Sequence, residues 1–539
     1  MPTARQRIVA SLIATALCLG VLEVALRAAY RVRDRFVEAV PLPYRIGDDY
    51  GPTPPWLDRG RLLEWDDALL WRNRPSSHET YLSLFVPFPS DERRIDIVRR
   101  FSPRLPLSLR TAPRWQVDID SRGFREVEFS DRKAAGSFRI LCLGDSWTFG
   151  ANVSQNETYP RALDRLLQAE FPAARFEVLN LGVMGYSSFQ GKELLRTRAL
   201  EWDPDLVVIG FGMNDGKVGG FRDKDVAATR GAIAMRAAKW LEEAELYKLL
   251  RYWALLVRDR LPSPAEAFRG AVDAERWVER PRDVAGTEPW TRVSVADYRA
   301  NVEAMIDLAS ARGVGVVLVD NELEPSAYGE TLATLAAEHA VPLVRSGPLI
   351  QAARARTESE LAAALGLRPA TSGAPSARSE TVRVIFRVRA ERGADGGAVY
   401  LAGDAPALGD LVPNQVSLRD DGEDGDERAD DGVWSYAASL KAGSVVHYVY
   451  TRGGTAGTWE NLDVPMVRSF PVPRVGGTVY RPIESFGRIE FQSDAWHADR
   501  EGLELIARGV LQVLVDDPRV QSFTASAATG PANAHSSSM

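Results

Sequence analysis

The sequence predicts an α/β fold: a parallel sheet with helices on both faces, a nested all-β sandwich and an N-terminal membrane helix. Three observations lead there. From residue 138 onward, short apolar runs alternate with helical periods. Val207-Val208-Ile209 and Val316-Val317-Leu318-Val319 are apolar on both faces, as buried parallel strands must be. Between about 380 and 474 the period becomes two, with Val382, Val384, Phe386 and Val388 in strict alternation. At the amino end, Ile8 to Leu22 is apolar apart from small Ser, Thr and Gly residues.

A chain of 539 residues exceeds one compact domain, and a hydrophobic content of 45% is ample for a core. The net charge of -7 gives no reason to expect nucleic acid as a partner. Cys18 lies in the N-terminal run and Cys142 inside a strand, so no disulfide is expected between them. Five histidines and no paired-cysteine motif predict no metal site. Gly210-Phe211-Gly212 ends at Asp215 rather than Gly, which is not a dinucleotide fingerprint, and no cofactor is expected.

Residues 1–35 read as a membrane anchor or signal segment. Glu23 interrupts the apolar run, but Val24-Ala25-Leu26 extends it to roughly the 20 residues a spanning helix requires. Ala28-Ala29 offers a weak cleavage site, and bulky Leu17 argues against a lipoprotein site at Cys18. Arginines flank both ends, so charge does not choose the orientation cleanly; the expectation is an anchor with the bulk of the chain outside the cytoplasm. Residues 40–135 are rich in Pro, Arg and aromatics, with a strand at Trp115 to Ile119 and a turn at Ser121 to Arg125. They read as a β-rich packing layer without chemistry of its own.

The first part of the core, 136–370, alternates strands at 138–143, 176–181, 206–209, 314–319 and 341–345 with helices at 159–171, 189–200, 295–312 and 328–339. Residues 216–291 form a helical insertion, with an amphipathic pattern through Trp240, Leu246, Leu250 and Trp253, and mark either a lid or an additional helical layer. Ala370 to Ala377 reads as a flexible linker. The sandwich spans 378–476; its acidic run from Asp420 to Asp426 lacks EF-hand spacing and reads as a solvated loop. The core resumes over 480–520 with helical spacing at Leu503, Ile506, Val510 and Leu511, and a disordered tail is expected over 521–539.

The strand from 138 stops at Gly144-Asp145-Ser146, which puts a serine where open α/β sheets bind their ligands. A serine hydroxyl needs an adjacent base, and a histidine, with an ordinary pKa of about 6.5, suits that task. Thr148 stands where the second glycine of a Gly-x-Ser-x-Gly elbow would be. Three later stretches are Asn180 to Ser187, Gly210-Phe211-Gly212-Met213-Asn214-Asp215, and Asp494-Ala495-Trp496-His497. In that order the four resemble the signature blocks of the SGNH (GDSL-type) hydrolases, over roughly 138–215, 292–350 and 484–514.

The resemblance implies a flavodoxin-like sheet and a serine esterase. It makes Ser146 the nucleophile, His497 the base and Asp494 the residue that orients His497. It makes the Ser146 N–H, the Gly185 N–H and the Asn214 side chain the oxyanion donors, with Gly182 as the alternative to Gly185. Ala498 departs from the proline common after the histidine. The sandwich resembles starch- and glycogen-binding modules through Val399 to Asp404, Leu408-Gly409-Asp410 and Asp431 to Trp434. Leu411 stands where those modules carry a stacking tryptophan; Trp459 is the substitute candidate for binding a sugar, and Trp434 reads as core. Together these imply a short-chain esterase acting on an acylated small molecule or an envelope or extracellular glycan. O-acyl transfer to a polysaccharide and a non-catalytic glycan-binding scaffold are the alternatives.

Overall fold

The computed structural model describes residues 3–34, 62–82, 114–217, 222–229, 240–241, 244–260, 291–371, 373–375, 380–390, 397–410, 412, 414–452, 468–493 and 496–529. Much of the 40–135 extension and of the 216–291 insertion, and residues 530–539, lie outside them.

Helix α1 (Ala4–Asp34) is exposed at most of its described positions, with Glu23, Leu26 and Tyr30 half-buried, and its 29-residue segment Ala4–Val32 is long and apolar enough to cross a membrane. Two antiparallel pairs follow: β1 (Leu63–Asp66) with β2 (Leu70–Asn73), and β3 (His78–Leu82) with β4 (Arg114–Asp118).

The central layer starts with β5 (Ser137–Gly144), buried at every position, and the short helix α2 (Ser146–Phe149). Next come α3 (Tyr159–Glu170), β6 (Arg175–Gly182), α4 (Ser188–Thr197) and β7 (Leu206–Gly210). Helices α5 (Asp223–Thr229) and α6 (Glu245–Arg260) belong to the insertion. The core continues with α7 (Val295–Ser310), β8 (Gly315–Asp320), α8 (Ala327–Glu338), β9 (Leu343–Arg345) and α9 (Ser346–Leu365).

The five strands are parallel, in the order β6-β5-β7-β8-β9. This is a doubly wound arrangement whose switch in winding direction falls at β5. One face buries Leu141, Leu143, Val207 and Ile209 under Leu194, Met305 and Leu332; the other buries Ile140, Cys142 and Val208 under Leu163, Ile506 and Val510. Helix starts follow local chemistry. Ser187 and Gln190 form a capping box at α4, and the Ser294 and Ser326 hydroxyls cap α7 and α8.

Beyond α9 the chain becomes all β: β10 (Ala374–Pro375), β11 (Thr381–Arg389), β12 (Val399–Gly403), β13 (Val416–Ser417), β14 (Val433–Lys441), β15 (Val445–Arg452), β16 (Arg468–Pro471), β17 (Val475–Gly476) and β18 (Thr478–Ser485). A three-stranded sheet, β14-β11-β18, and a four-stranded sheet, β13-β12-β15-β16, share one hydrophobic core around Phe386, Leu401, Leu440 and Tyr448. Strand β11 pairs in parallel with β18, Arg383 opposite Thr478 and Arg389 opposite Ser485, while Thr371 and β10 line up antiparallel beside 475–480. Arg387, 1% exposed, joins this unit to the α/β core: its Nη2 lies 3.2 Å from Glu358 of α9, and it donates to the Arg368 and Arg481 carbonyls.

Three features differ from the sequence expectation. Helix α9 had no strong apolar stripe to announce it; its buried face is small and includes Gly347, Ala353 and Ala362. The stretch read as a linker is held in part, because Thr371 exchanges hydrogen bonds with Tyr480 and β10 pairs with β17. The stretch read as a disordered tail begins as helix: after α10 (Arg500–Val515), α11 (Pro518–Thr529) lays Phe523 5.4 Å from Phe138 and 5.5 Å from Phe176. Its Ala, Ser and Thr content masked one anchoring aromatic.

Removing that anchor tests the docking. Phe523→Ala should cost about 2 kcal/mol, less than a fully buried ring because Phe523 is half-buried. In thermal melting the core transition should drop by roughly 4–8 °C; an unchanged transition would mean that α11 does not contribute to the fold.

Candidate active site

Ser146 opens α2 at the carboxyl end of β5, with Asp145 as its cap accepting the Trp147 N–H at 2.9 Å. The helix lies on bare backbone. A Cβ at Gly144 would come 2.0 Å from Thr148 Oγ1, and one at Gly182 would come 2.2 Å from the Phe149 nitrogen. Gly150, at φ +83°, closes the helix by donating to the Ser146 carbonyl. The serine and the histidine are nearly buried, at 7% and 6% exposed, and His497 Nε2 stands 2.7 Å from Ser146 Oγ.

His497 comes from the loop before α10, whose start is capped by Asp499. Ser493 N–H donates to the His497 carbonyl, and Arg354 of α9 holds the loop's approach through the Glu490 carbonyl and Gln492. Lys217, where the insertion begins, sits 5.9 Å from the Trp496 ring. Asp494, expected to orient His497, and Trp459, expected to stack on a sugar, both lie outside the described residues.

The expected oxyanion groups converge on the same strand ends. Gly185 follows β6 at φ +77°, and an added Cβ there would meet only Trp71, at 3.6 Å. Gly182, the alternative, has a packing duty beneath α2. Asn214 follows β7 and donates 3.1 Å bonds to Asp145 Oδ2 and to the Tyr186 carbonyl. As placed, its amide braces the nucleophile loop against the Gly185 loop. Burial pushes the Asp145 carboxyl above the usual carboxylate range, against the pull of the Trp147 N–H and the nearby His497. Burial also pushes the Cys142 thiol up to about 12, leaving it a packing residue.

Several supports carry no sequence motif. Arg125, 1% exposed, donates to the carbonyls of Gln116, Phe149, Gly150 and Val153 and so clamps the far end of α2. Trp71 Nε1 donates to the Met184 carbonyl. Arg292, at the return of the insertion, donates to the Gly185 carbonyl at 2.7 Å and is bidentate to buried Asp223. The 40–135 extension is therefore more than a neutral packing layer: it shapes both loops flanking Ser146. Arg125 closes the Ser121–Arg125 turn amid other charged residues, so nothing local in the sequence sets it apart.

Behind these loops, Asp215 accepts the N–H and hydroxyl of Ser188, and the Asn301 amide donates to the same hydroxyl. Burial raises the Asp215 pKa to about 7, with Asp223 adding to the rise and Ser188 and Arg292 opposing it.

Residues 142–374 match the GDSL-like Lipase/Acylhydrolase family. Among solved structures, the chain is similar to the acetylxylan esterase Axe2 of Geobacillus stearothermophilus, a catalytic mutant, at 16% identity over 39% of this chain and 77% of that one, with a TM-score of 0.22. It is similar to the lipase/acylhydrolase from Enterococcus faecalis at 18% identity over 38% and 75%, TM-score 0.22. It is also similar to the glycoside hydrolase family 15 glucoamylase from Hypocrea jecorina at 26% identity over 21% of this chain, TM-score 0.18. It spans only 18% of that glucoamylase. No curated protein matches the chain.

The raised Asp215 pKa has a sign that can be measured. The folded state binds this proton more tightly than the unfolded chain, whose carboxyl titrates near 3.8. Its contribution is complete below about pH 4 and is lost as pH rises through about 7. Asp215→Asn keeps an acceptor for both Ser188 donors at Oδ1 and cannot ionise. Relative to that variant, the wild type should lose on the order of 4 kcal/mol of stability between pH 4 and pH 8. Parallel pH dependence of the two melting curves would show that Asp215 does not titrate in this range.

Proposed function

The chain carries a domain of the GDSL-like lipase/acylhydrolase family, and we propose that it is a membrane-anchored serine esterase that removes short acyl groups from an envelope or extracellular glycan. The observation that carries the catalytic part is the 2.7 Å contact between Ser146 Oγ and His497 Nε2 in a nearly buried site at the carboxyl end of β5.

In this reading Ser146 Oγ attacks the ester carbonyl carbon as His497 Nε2 takes its proton. The oxyanion of the tetrahedral intermediate is met by the Ser146 and Gly185 N–H groups and by the Asn214 amide, which exchanges one of its present acceptors for it. Collapse breaks the bond to the alcohol oxygen, which leaves with the proton from His497. Water, deprotonated by the same nitrogen, then cleaves the acyl-enzyme and returns the serine hydroxyl. Asp494, three residues before His497, holds the imidazole tautomer. Helix α1 supplies the anchor through its apolar segment Ala4–Val32, and the bulk of the chain lies outside the cytoplasm. The glycan target is motivated by the anchor and by the two β-sheets that follow α9, with Trp459 lying in sequence between β15 and β16.

A fluorophosphonate probe tests the mechanism. The wild type should label, Ser146→Ala should not, and His497→Ala should label at least 10²-fold more slowly, about the minimum for loss of a positioned base. Asp494→Ala should fall between wild type and His497→Ala. Full ester cleavage by Ser146→Ala would sink the reading. With an acylated glycan as substrate, free acid as the product supports hydrolysis, whereas acyl groups recovered on a glycan acceptor point to transfer.

A further inference from the structure

The insertion carries a feature the catalytic reading leaves unused: helix α6 is joined end-on to α1. Glu23, in the middle of the apolar α1 sequence, accepts the Glu245 N–H at 3.0 Å and the Leu246 N–H at 2.8 Å, the first amides of α6. Arg27 completes the shell with a 2.6 Å bond to the same carboxylate. A carboxylate on a helix entering hydrocarbon is costly unless its acceptors are filled. Here a helix N-terminus from the insertion fills them.

The level of this junction follows from helical rise. Arg7 and Arg27 are separated by about 30 Å along the axis, which matches the thickness of a hydrocarbon core. Glu23 lies one turn inside Arg27, so the start of α6 comes to the face of the bilayer. Its sequence suits that face. Leu246, Leu249, Leu250 and Trp253 recur at helical spacing on one stripe, with Lys248, Arg251 and Tyr252 off it. Leu250 and Trp253 are 60% and 55% exposed, and Trp240 and Leu241 just upstream are exposed as well. An apolar stripe with an aromatic and basic border is the composition of a helix lying in the interface.

We propose that α6 lies on the lipid surface beside α1, with its 246–249–250–253 stripe in the bilayer and its N-terminus held by Glu23. The occupant of the stripe is lipid, because the stripe is continuous with the exposed apolar surface of α1 through a satisfied polar junction. This rests on the reading of α1 as a membrane anchor. In sequence, the insertion leaves the core just after Asn214 and returns at Arg292, which holds the Gly185 carbonyl.

The full chain, reconstituted in vesicles of equal parts phosphatidylcholine and phosphatidylglycerol, tests this with an environment-sensitive dye. Exposed Cys18 reports on α1; buried Cys142 stays unlabelled in the folded protein. Trp253→Cys in a Cys18→Ser background reports on α6, and Lys441→Cys in the same background, at an exposed site on β14, is the aqueous control. Nitroxide-bearing lipid should quench the dye at 18 and at 253 several-fold more than at 441, and Glu23→Ala should bring 253 down toward 441. Quenching at 18 with 253 behaving like 441 overturns the α6 inference and leaves the anchor standing. No quenching at 18 overturns the anchor reading and the inference with it. Shielding of 253 from aqueous iodide without lipid quenching assigns the stripe to a second copy of the chain and also overturns the inference. Unchanged quenching at 253 in Glu23→Ala overturns the role of Glu23.

Discussion

Helix α2 lies directly on bare backbone, with Gly144 beneath Thr148 and Gly182 beneath Phe149 at separations no side chain fits. This contact fixes Ser146 at the end of β5, and the rest of the site is arranged around it. Asp145 caps one end of the helix, Arg125 gathers the carbonyls at the other, and Asn214 ties the cap to the neighbouring loop. These side chains come from the β-rich extension and from segments after β5 and β7. The rigidity of the serine is therefore a property of several separate stretches of chain.

The same logic explains how an all-β unit can interrupt the catalytic core without loosening it. Thr371 and β10 run back alongside β18 and β17, and buried Arg387 bonds to α9, which in turn holds the approach to His497 through Arg354. A charged pair at such a junction costs desolvation, but removing Arg387 would leave Glu358 buried without its ion partner. The arrangement favours one docking over alternatives that a purely apolar seam would tolerate.

Much of this was legible in the sequence. The central strands were visible because a parallel strand covered on both faces must be apolar throughout, as Val207 to Ile209 is. Ser146, Gly185, Asn214 and His497 were visible because each block is local and keeps its spacing. What escaped depended on partners far away in the chain. Helix α9 packs through small residues and shows no stripe. Arg125 and Arg292 look like surface arginines until the carbonyls they gather are known. Phe523 is one aromatic in a stretch whose composition otherwise suggests a tail, and its meaning comes from Phe138 and Phe176, more than 300 positions earlier.

Ser146 and His497 are 351 positions apart, with the whole β unit between them. During synthesis the strand that carries Ser146 leaves the ribosome long before the histidine does, and the nascent chain holds the hydroxyl without the imidazole. In the proposed mechanism, competence arrives only after the whole β unit has been made. A chain terminated early in the β unit could retain the sheet and the serine yet be inert, so that activity would report on translation through the β unit.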